Sequence, residues 1–303
     1  MYGFQTFRNP TTVSAGLGVS RVPLFALTSW PSMPIPSADL AVEAPRQHAP
    51  PNLRTLISIA SAAAALVGFA RDVIGHAIAA RLGDADWFST STVFAQLNTP
   101  ARLAGVCGTL ANLVLGGMAA LLVRVDKRFT SGWYFLWVFG CVSLMSSGRL
   151  LYAAITGTGD WSAIILNFSS PWLWRILLAA AGIFIYRPAL RFAVIALRDL
   201  VVRREVAYQD LWRLVLAAYL TASTLLTIES ALRPVNGGLG EIAVVSASFG
   251  LNLGLLIVPA FISQPVETER IVTRTMSFEW LWLTFGLAAA IAFLSGLGRA
   301  IRF

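Results

Sequence analysis

Charged residues are scarce in this chain of 303 residues: they make up 13% of it, whereas 56% of the residues are hydrophobic. Soluble domains carry roughly 25% charged residues, about twice this share. The mean hydropathy of +0.69 points the same way. The composition excludes an ordinary soluble domain and predicts an all-α polytopic membrane protein.

Cysteine and histidine are almost absent. Cys107 and Cys141 both fall within apolar runs, where a free cysteine behaves as a small hydrophobe. No disulfide framework and no cysteine metal site are supported. His48 and His76 are the two histidines, which excludes a three-histidine zinc site, so any metal needs carboxylate ligands.

Lysine is represented by Lys127 alone, and the net charge of +8 comes from arginines that gather at the ends of apolar runs. Membrane topology explains this placement better than nucleic acid does, and we expect no nucleic-acid partner. With an odd number of spans, fourteen basic residues fall on the amino-terminal side of the membrane. Five fall on the other side, namely Arg81, Arg102, Arg233, Arg299 and Arg302. This asymmetry predicts a cytoplasmic amino terminus.

Residues 1–52 contain more than half of the chain's 14 prolines and show no helical period. They lack the basic start, continuous apolar run and small-residue cleavage site of a secretory signal. We therefore predict an irregular, Pro-rich amino-terminal arm over 1–52, followed by a transmembrane domain over 53–303.

Apolar runs after Leu53 predict seven spans, each near the roughly 20 residues that a bilayer core requires. Their expected positions are 54–81, 102–124, 132–154, 172–187, 211–232, 240–262 and 277–298. The fourth is short, and the segment 188–206 is either its continuation or an amphipathic helix at the membrane surface. Residues 86–95 have high β-propensity and predict a short surface strand or hairpin.

Tryptophan and tyrosine occur near the edges of these spans, which is typical of side chains anchored at a membrane interface. The anchors expected on this basis are Trp133, Tyr134, Trp172, Trp174, Trp212, Trp280 and Trp282.

The polar segment 71–83 interrupts the far half of the first span. Intramembrane metallopeptidases need zinc to activate water, a carboxylate to take its proton, and two ligands four residues apart on one helix. The usual form is His-Glu-x-x-His. The corresponding residues here run from Asp72 through Val73 to His76, so the first ligand is an aspartate and the glutamate is a valine.

The segment from Gly75 to Gly83 resembles the active-site helix of site-2 protease-like integral membrane metallopeptidases. The segment Cys107–Leu113 is similar to that family's glycine-proline-x-x-asparagine motif, with Thr109 in place of proline. Residues 157–161 resemble a segment from a bacterial branch of this family, in which the third zinc ligand is an aspartate that directly precedes a tryptophan. The resemblance covers about 54–303 and implies a site-2 protease-like transmembrane domain.

Carried across by position, the resemblance makes His76 a zinc ligand, Asp160 the third ligand and Asn112 an active-site polar group. Asp72 occupies a ligand position, and Val73 occupies the position of the general base. Two interpretations stay open. Asp72, His76 and Asp160 bind zinc, or they belong with Arg71 and Arg149 to an internal charge network, because ionisable groups within bilayers normally pair.

Val73 cannot act as a general base, and general acid–base catalysis typically raises a reaction rate by ~10²–10⁴-fold. We therefore expect a non-catalytic pseudo-peptidase in a bacterial inner membrane, without a cofactor. Its expected partners are the lipid bilayer and other subunits of a larger membrane complex, bound through 1–52 and the transmembrane faces. The alternative is an intramembrane zinc metallopeptidase with an altered ligand set. A transporter is disfavoured because the sequence shows neither inverted repeats nor paired broken helices.

Overall fold

The computed structural model describes residues 52–77, 87–90, 95–97, 102–126, 128–157, 160–165, 168–231, 247, 249–263, 278–296 and 301–302. All of them lie in the second of the two units into which the chain divides, Met1–Ala44 and Pro45–Phe303. Apart from Asn52, the predicted arm over 1–52 lies outside the described residues.

Helices dominate the described part, and five of them are long and apolar enough to cross a membrane. These are Leu53–Gly75, Val106–Val125, Ser131–Thr156, Pro171–Val202 and Tyr208–Glu229. The expected spans 240–262 and 277–298 correspond to shorter apolar helices, Phe249–Phe261 and Trp280–Ser295. An α-helical membrane protein is confirmed, whereas the count of seven spans is not.

The elements follow one another along the chain as these ranges. Helix α1 is Leu53–Phe69 and continues as a π-helix, Ala70–Ala77, and strands β1 and β2 are Trp87–Thr90 and Ala95–Leu97. Five helices follow: α2 is Arg102–Val125, α3 is Ser131–Met145, α4 is Gly148–Thr156, α5 is Asp160–Ile165 and α6 is Pro171–Val202. A 3₁₀ turn, Tyr208–Asp210, precedes α7, Leu211–Ala231; α8 is Gly254–Ile257 and is followed by a 3₁₀ turn, Val258–Phe261; α9 is Trp280–Gly296, and β3 is Ile301–Arg302.

Side-chain caps start the helices that form the centre of the bundle. The Asn52 side chain accepts a hydrogen bond of 3.0 Å from the backbone N–H of Arg54 at the start of α1. The Thr130 hydroxyl accepts one of 3.0 Å from the N–H of Trp133 at the start of α3. Each cap satisfies a donor that the first turn of a helix leaves without a partner.

Helix α6 decides between the two alternatives for 188–206. It runs unbroken from Pro171 to Val202 with Pro188 inside it, so this segment continues the fourth span instead of forming a separate surface helix. Its 32 residues give a length of about 48 Å. Pro171 occupies the first turn, where its missing N–H costs nothing.

Strands β1 and β2 pair antiparallel, and β3 pairs antiparallel with the other edge of β1, giving the order β2-β1-β3. The segment 86–95 for which the sequence predicts a strand or hairpin contains β1 and the first residue of β2. Pairing with β3 brings Ile301 beside Phe88 in the register.

Helix α1 is the buried centre of the bundle and packs against α3, α7 and α9. Small residues permit this packing: a side chain at Gly286 of α9 would overlap the backbone of Ser58. Interfaces between membrane helices commonly depend on such small residues.

Two of the expected interface anchors are wrong. Trp133 and Tyr134 are 2% and 0% exposed, and the Tyr134 hydroxyl donates to the carbonyl of Leu214 in α7 at 2.8 Å. Because Trp133 and Tyr134 are enclosed by neighbouring helices, they pack in the core of the bundle and do not face the surrounding lipid. Other expected anchors are exposed, namely Trp172, Trp174, Trp212 and Trp280.

Candidate functional site

The segment that carries the motif is the π-helix Ala70–Ala77. Turns of this kind are rare, and they occur frequently at functional sites. The backbone places Asp72, Val73 and His76 on this turn. The side chain of His76 lies outside the described residues.

Asp72 is buried beside a cation. Asp72 is 1% exposed and Arg71 is 3% exposed. Oδ1 of Asp72 lies 3.7 Å from Nε of Arg71. A carboxylate and a guanidinium at this distance neutralise each other where water cannot screen them. The arrangement matches the interpretation of Asp72 as one member of an internal ion pair.

Val73 belongs to the packing of the bundle. It is partly buried and contacts the main apolar core, which includes Leu56, Trp137 and Phe293. The resemblance assigns this position to a general base. An isopropyl side chain in this packing neither accepts a proton nor orients a water molecule.

The π-helix contacts α2 at two glycines. A side chain at Gly75 would overlap the backbone of Gly108, so the two backbones touch at this point. This close approach explains why the segments that resemble the protease motifs carry glycine at both positions. It also places the turn that bears His76 directly against the segment that bears Asn112.

Asn112 is 1% exposed, and its Oδ1 has no hydrogen-bond partner within the part of the chain that the structure describes. It lines a cavity of about 10 Å³ together with Arg71, Arg149, Ser146 and Asn252. That volume is close to what one water molecule occupies. A water bound there would satisfy the buried Asn112 oxygen.

Helix α5 begins at Asp160 and is fixed to α2 by the next residue. Nε1 of Trp161 donates to the hydroxyl of Thr109 at 3.0 Å. The loop before α5 turns at Gly157, whose φ of 69° suits glycine. Arg175 donates to the carbonyls of Ala154 and Ile155 at 2.8 and 2.9 Å, which caps the end of α4.

The three segments that resemble protease motifs therefore meet around Gly108 and Thr109. Gly75 contacts Gly108, and Trp161 contacts Thr109. Whether the side chains of His76 and Asp160 reach Asn112 remains a prediction, because both side chains lie outside the described residues.

Asp72 is the expected zinc ligand whose side chain the structure describes, since the side chains of His76 and Asp160 lie outside the described residues. Within the described ranges, no group of three or more His, Cys, Asp and Glu side chains is placed to hold a metal. Arg71 puts a positive charge 3.7 Å from the carboxylate of Asp72, and this charge opposes a divalent cation at the same oxygen. We derive no chemical step through a metal here.

Sequence reasoning missed part of the polar cluster. Asn252, 1% exposed, joins the cavity from the far end of the chain, and its Nδ2 lies 3.5 Å from Oγ of Ser223 in α7. Ser146 lines the same cavity from the turn between α3 and α4. The signal for Asn252 was available, since an amide inside an apolar span indicates a buried polar contact.

The chain matches no protein-family model, no curated protein and no solved structure. The resemblance to the metallopeptidases therefore stays a prediction from the motif segments of the sequence.

Proposed function

We propose that this protein is a non-catalytic membrane subunit, in which a site-2 protease-like bundle serves as a scaffold within a larger membrane complex. The observation that carries the proposal is the pairing of Asp72 with Arg71 beside a Val73 packed in the apolar core. Both positions carry catalytic machinery in the proteases that the sequence resembles.

The chemistry of these residues supports a structural role. Peptide hydrolysis needs a group that takes a proton from water, and Val73 has none. Asp72 occupies the position of the first metal ligand, and it forms a neutral pair with the adjacent Arg71. The pair keeps this buried turn without net charge, as groups within a membrane domain require.

The arrangement of arginines supports an orientation with the amino terminus in the cytoplasm of a bacterial cell, at the inner membrane. Arg54 precedes the first buried turn of α1, and Arg124 and Arg128 flank the end of α2. Helix α9 starts at the same end as α1, because Gly286 contacts Ser58 and Gly68 contacts Phe293. A basic end is typical of the cytoplasmic side.

The proposed partners are the lipid bilayer and other membrane proteins. Exposed apolar side chains cover the outer faces of α2, α6 and α9, among them Val114, Phe184 and Leu281. Hydrocarbon suits these faces, and so do the helices of neighbouring subunits. The arm over 1–52 is a second proposed contact with the complex.

The state of the protein in a mild detergent tests this proposal. We expect the native protein, extracted from its own membrane, to migrate as a stoichiometric complex on a native gel and to show hydrogen-exchange protection within 1–52. A monomer whose arm exchanges at the rate of an unfolded chain would contradict the scaffold role.

The alternative function is an intramembrane zinc metallopeptidase, and one observation favours it. The contacts Gly75 to Gly108 and Trp161 to Thr109 bring together the segments that carry His76, Asn112 and Asp160. In this alternative, zinc is the cofactor, and the substrate is a membrane-embedded peptide.

A further inference from the structure

A small recess lies at one end of the bundle and is lined by the ends of α2 and α6 and by the start of α3. The residues of its floor are apolar and buried, among them Val123, Trp133, Phe192 and Leu200. The residues of its rim are charged and exposed, namely Arg124, Asp126, Asp199 and Arg203. We call this site the α2–α6 recess. Two cations and two anions around an apolar floor suit a ligand that carries both signs of charge.

The charged rim is supplied from both sides of the recess. Asp199 and Arg203 are four residues apart, so they share the face of α6 that lines the recess. On the other side, Arg124 is in the last turn of α2 and Asp126 directly follows that helix. The backbone N–H of Arg128 donates to Oδ1 of Asp126 at 3.1 Å and orients this carboxylate. Each side of the recess therefore contributes one cation and one anion.

The α2–α6 recess lies at the level where hydrocarbon gives way to lipid head groups. The spans Val106–Val125 and Pro171–Val202 both end beside it, and Ser131–Thr156 begins there. The first of these spans has 20 residues, which matches the thickness of a bilayer core, so its last turn stands at the surface of the hydrocarbon. Just inward, α2 exposes Leu121 and Leu122, with exposed fractions of 62% and 52%. A lipid whose chains contact these leucines presents its head group to the rim.

The charges of the recess favour a zwitterionic head group over an anionic one. The two arginines and two aspartates of the rim sum to no net charge. The helix dipoles of α2 and α6 both end here and add partial negative charge, which attracts a cation. Arginine binds phosphate oxygens through paired N–H donors. A phosphate that carries an attached ammonium group therefore matches both kinds of charge on the rim.

The size of the recess decides which ammonium group it suits. The recess holds about 30 Å³, which is room for a group about two water molecules in size. A primary ammonium group fits this space and donates three hydrogen bonds, as a lysine ammonium does. A trimethylammonium group is larger, donates none, and is bound elsewhere by cages of aromatic faces. Trp133 supplies no such cage, because it is 2% exposed and stacks on Trp137.

We propose that the α2–α6 recess binds a phospholipid with a phosphoethanolamine head group. The carboxylates of Asp126 and Asp199 hold the ammonium group, and the guanidinium groups of Arg124 and Arg203 hold the phosphate. The inference goes beyond the proposed function, and it holds for a scaffold and for a peptidase alike.

The test measures binding of lipids to the purified, delipidated full-length protein by native mass spectrometry in detergent. The probes have the same two lauroyl chains and carry ethanolamine, N-methylethanolamine, N,N-dimethylethanolamine or choline. We expect the ethanolamine lipid to bind roughly tenfold or more tightly than the choline lipid, because charge-assisted hydrogen bonds are lost. The affinity should fall at each methylation, since every added methyl group removes one donor. Phosphatidylglycerol, which keeps the phosphate and lacks the ammonium group, should bind more weakly than the ethanolamine lipid.

Two double variants separate the two halves of the site. D126N/D199N should remove the preference for ethanolamine over choline, whereas R124Q/R203Q should weaken the binding of both lipids. The matched controls are E205Q and R128Q, which remove a carboxylate and a guanidinium near the same end of the bundle but outside the lining of the recess. Both controls should keep the preference.

Equal binding of the ethanolamine and choline lipids to the wild type would overturn the proposal, and would show that the rim charges serve only one another. Tighter binding of phosphatidylglycerol would overturn it too, and would assign the recess to phosphate alone. Soluble phosphoethanolamine that displaces the lipid at equal concentration would show that the ligand is not a lipid. The methylation series is measured on the wild type, so it decides the question even where a variant does not fold.

Discussion

Nε1 of Trp161 donates a hydrogen bond of 3.0 Å to the hydroxyl oxygen of Thr109, and this bond fastens α5 to α2. Thr109 stands where the resembling family has proline, which offers no hydroxyl. The bond holds the start of α5, and with it Asp160, beside the glycine contact between α2 and the π-helix. Thr109, a residue at which the sequence differs from the motif it resembles, thus makes a contact of its own.

Replacing Thr109 by valine tests this contact. The shape of the side chain is kept while its oxygen is lost, so the Trp161 N–H is left without its acceptor. We expect the free energy of unfolding in detergent to fall by about 1–3 kcal/mol. Thr227→Val is the matched control, since that hydroxyl donates only to the carbonyl of Ser223 one turn back in its own helix; it should cost less. Equal losses in the two variants would contradict a specific role for Thr109.

Adding a methyl group at Gly75 tests the contact between the π-helix and α2. The new Cβ would overlap the backbone of Gly108, which cannot rotate away, so Gly75→Ala should destabilise the protein by about 1–3 kcal/mol or more. Gly117→Ala in α2 is the control, because the space around its Cβ is open. There we expect a gain of about 0.5–1 kcal/mol from higher helix propensity. Thermal unfolding that ranks the two variants in the opposite order would disprove the contact.

The sequence predicts the helices well where the apolar run is long. Leu53–Gly75 and Tyr208–Glu229 fall where the runs place them, because roughly 20 apolar residues specify a membrane span with little ambiguity. The aromatic residues Trp133 and Tyr134 were misplaced by the same reasoning. Tryptophan and tyrosine are the residue types that are typical of interface anchors. Their burial depends on which helices surround them, and the sequence of a single span does not specify those neighbours.

The site is less predictable than the helices. Nothing local in the sequence from Ala70 to Ala77 specifies a π-helix, and the turn lies where Gly75 packs against Gly108 of a distant segment. The contribution of Asn252 to the cavity likewise depends on tertiary packing across more than a hundred residues of chain. The residue types predict a polar cluster, but how the helices pack determines which residues belong to it.

A double-mutant cycle tests whether Arg71 and Asp72 act as a pair. Arg71→Leu leaves a buried carboxylate without its neighbouring cation, and we expect a loss of about 3–5 kcal/mol in the free energy of unfolding. The double variant R71L/D72L should recover much of this loss, because it removes both charges. Arg213→Leu breaks a pair with Asp210 in which the arginine side chain is 55% exposed, and it should cost about 1 kcal/mol or less. Additive losses for R71L and D72L would show that the two residues act separately.

Introducing the residues of the His-Glu-x-x-His motif should not create a metal site. Val73→Glu places a carboxylate against the apolar core, so we expect lower thermal stability than in the wild type, with or without added zinc. Val73→Ile, which keeps the apolar contact, is the control and should change stability little. For the double variant D72H/V73E we expect no zinc-dependent rise in the unfolding temperature. A rise in that variant alone would show that the geometry of a zinc site survives in this fold.

The central claim, that the protein is not a peptidase, is tested most directly by one paired measurement of metal content and cleavage. The purified full-length wild type, His76→Ala and His48→Ala are analysed for zinc and incubated with a synthetic transmembrane peptide. His48 is the matched control because it is the other histidine of the chain and lies in the amino-terminal arm. The account predicts no cleavage by any of the three proteins and no zinc that depends on His76. Stoichiometric zinc and peptide cleavage in the wild type and His48→Ala, both lost in His76→Ala, would contradict it.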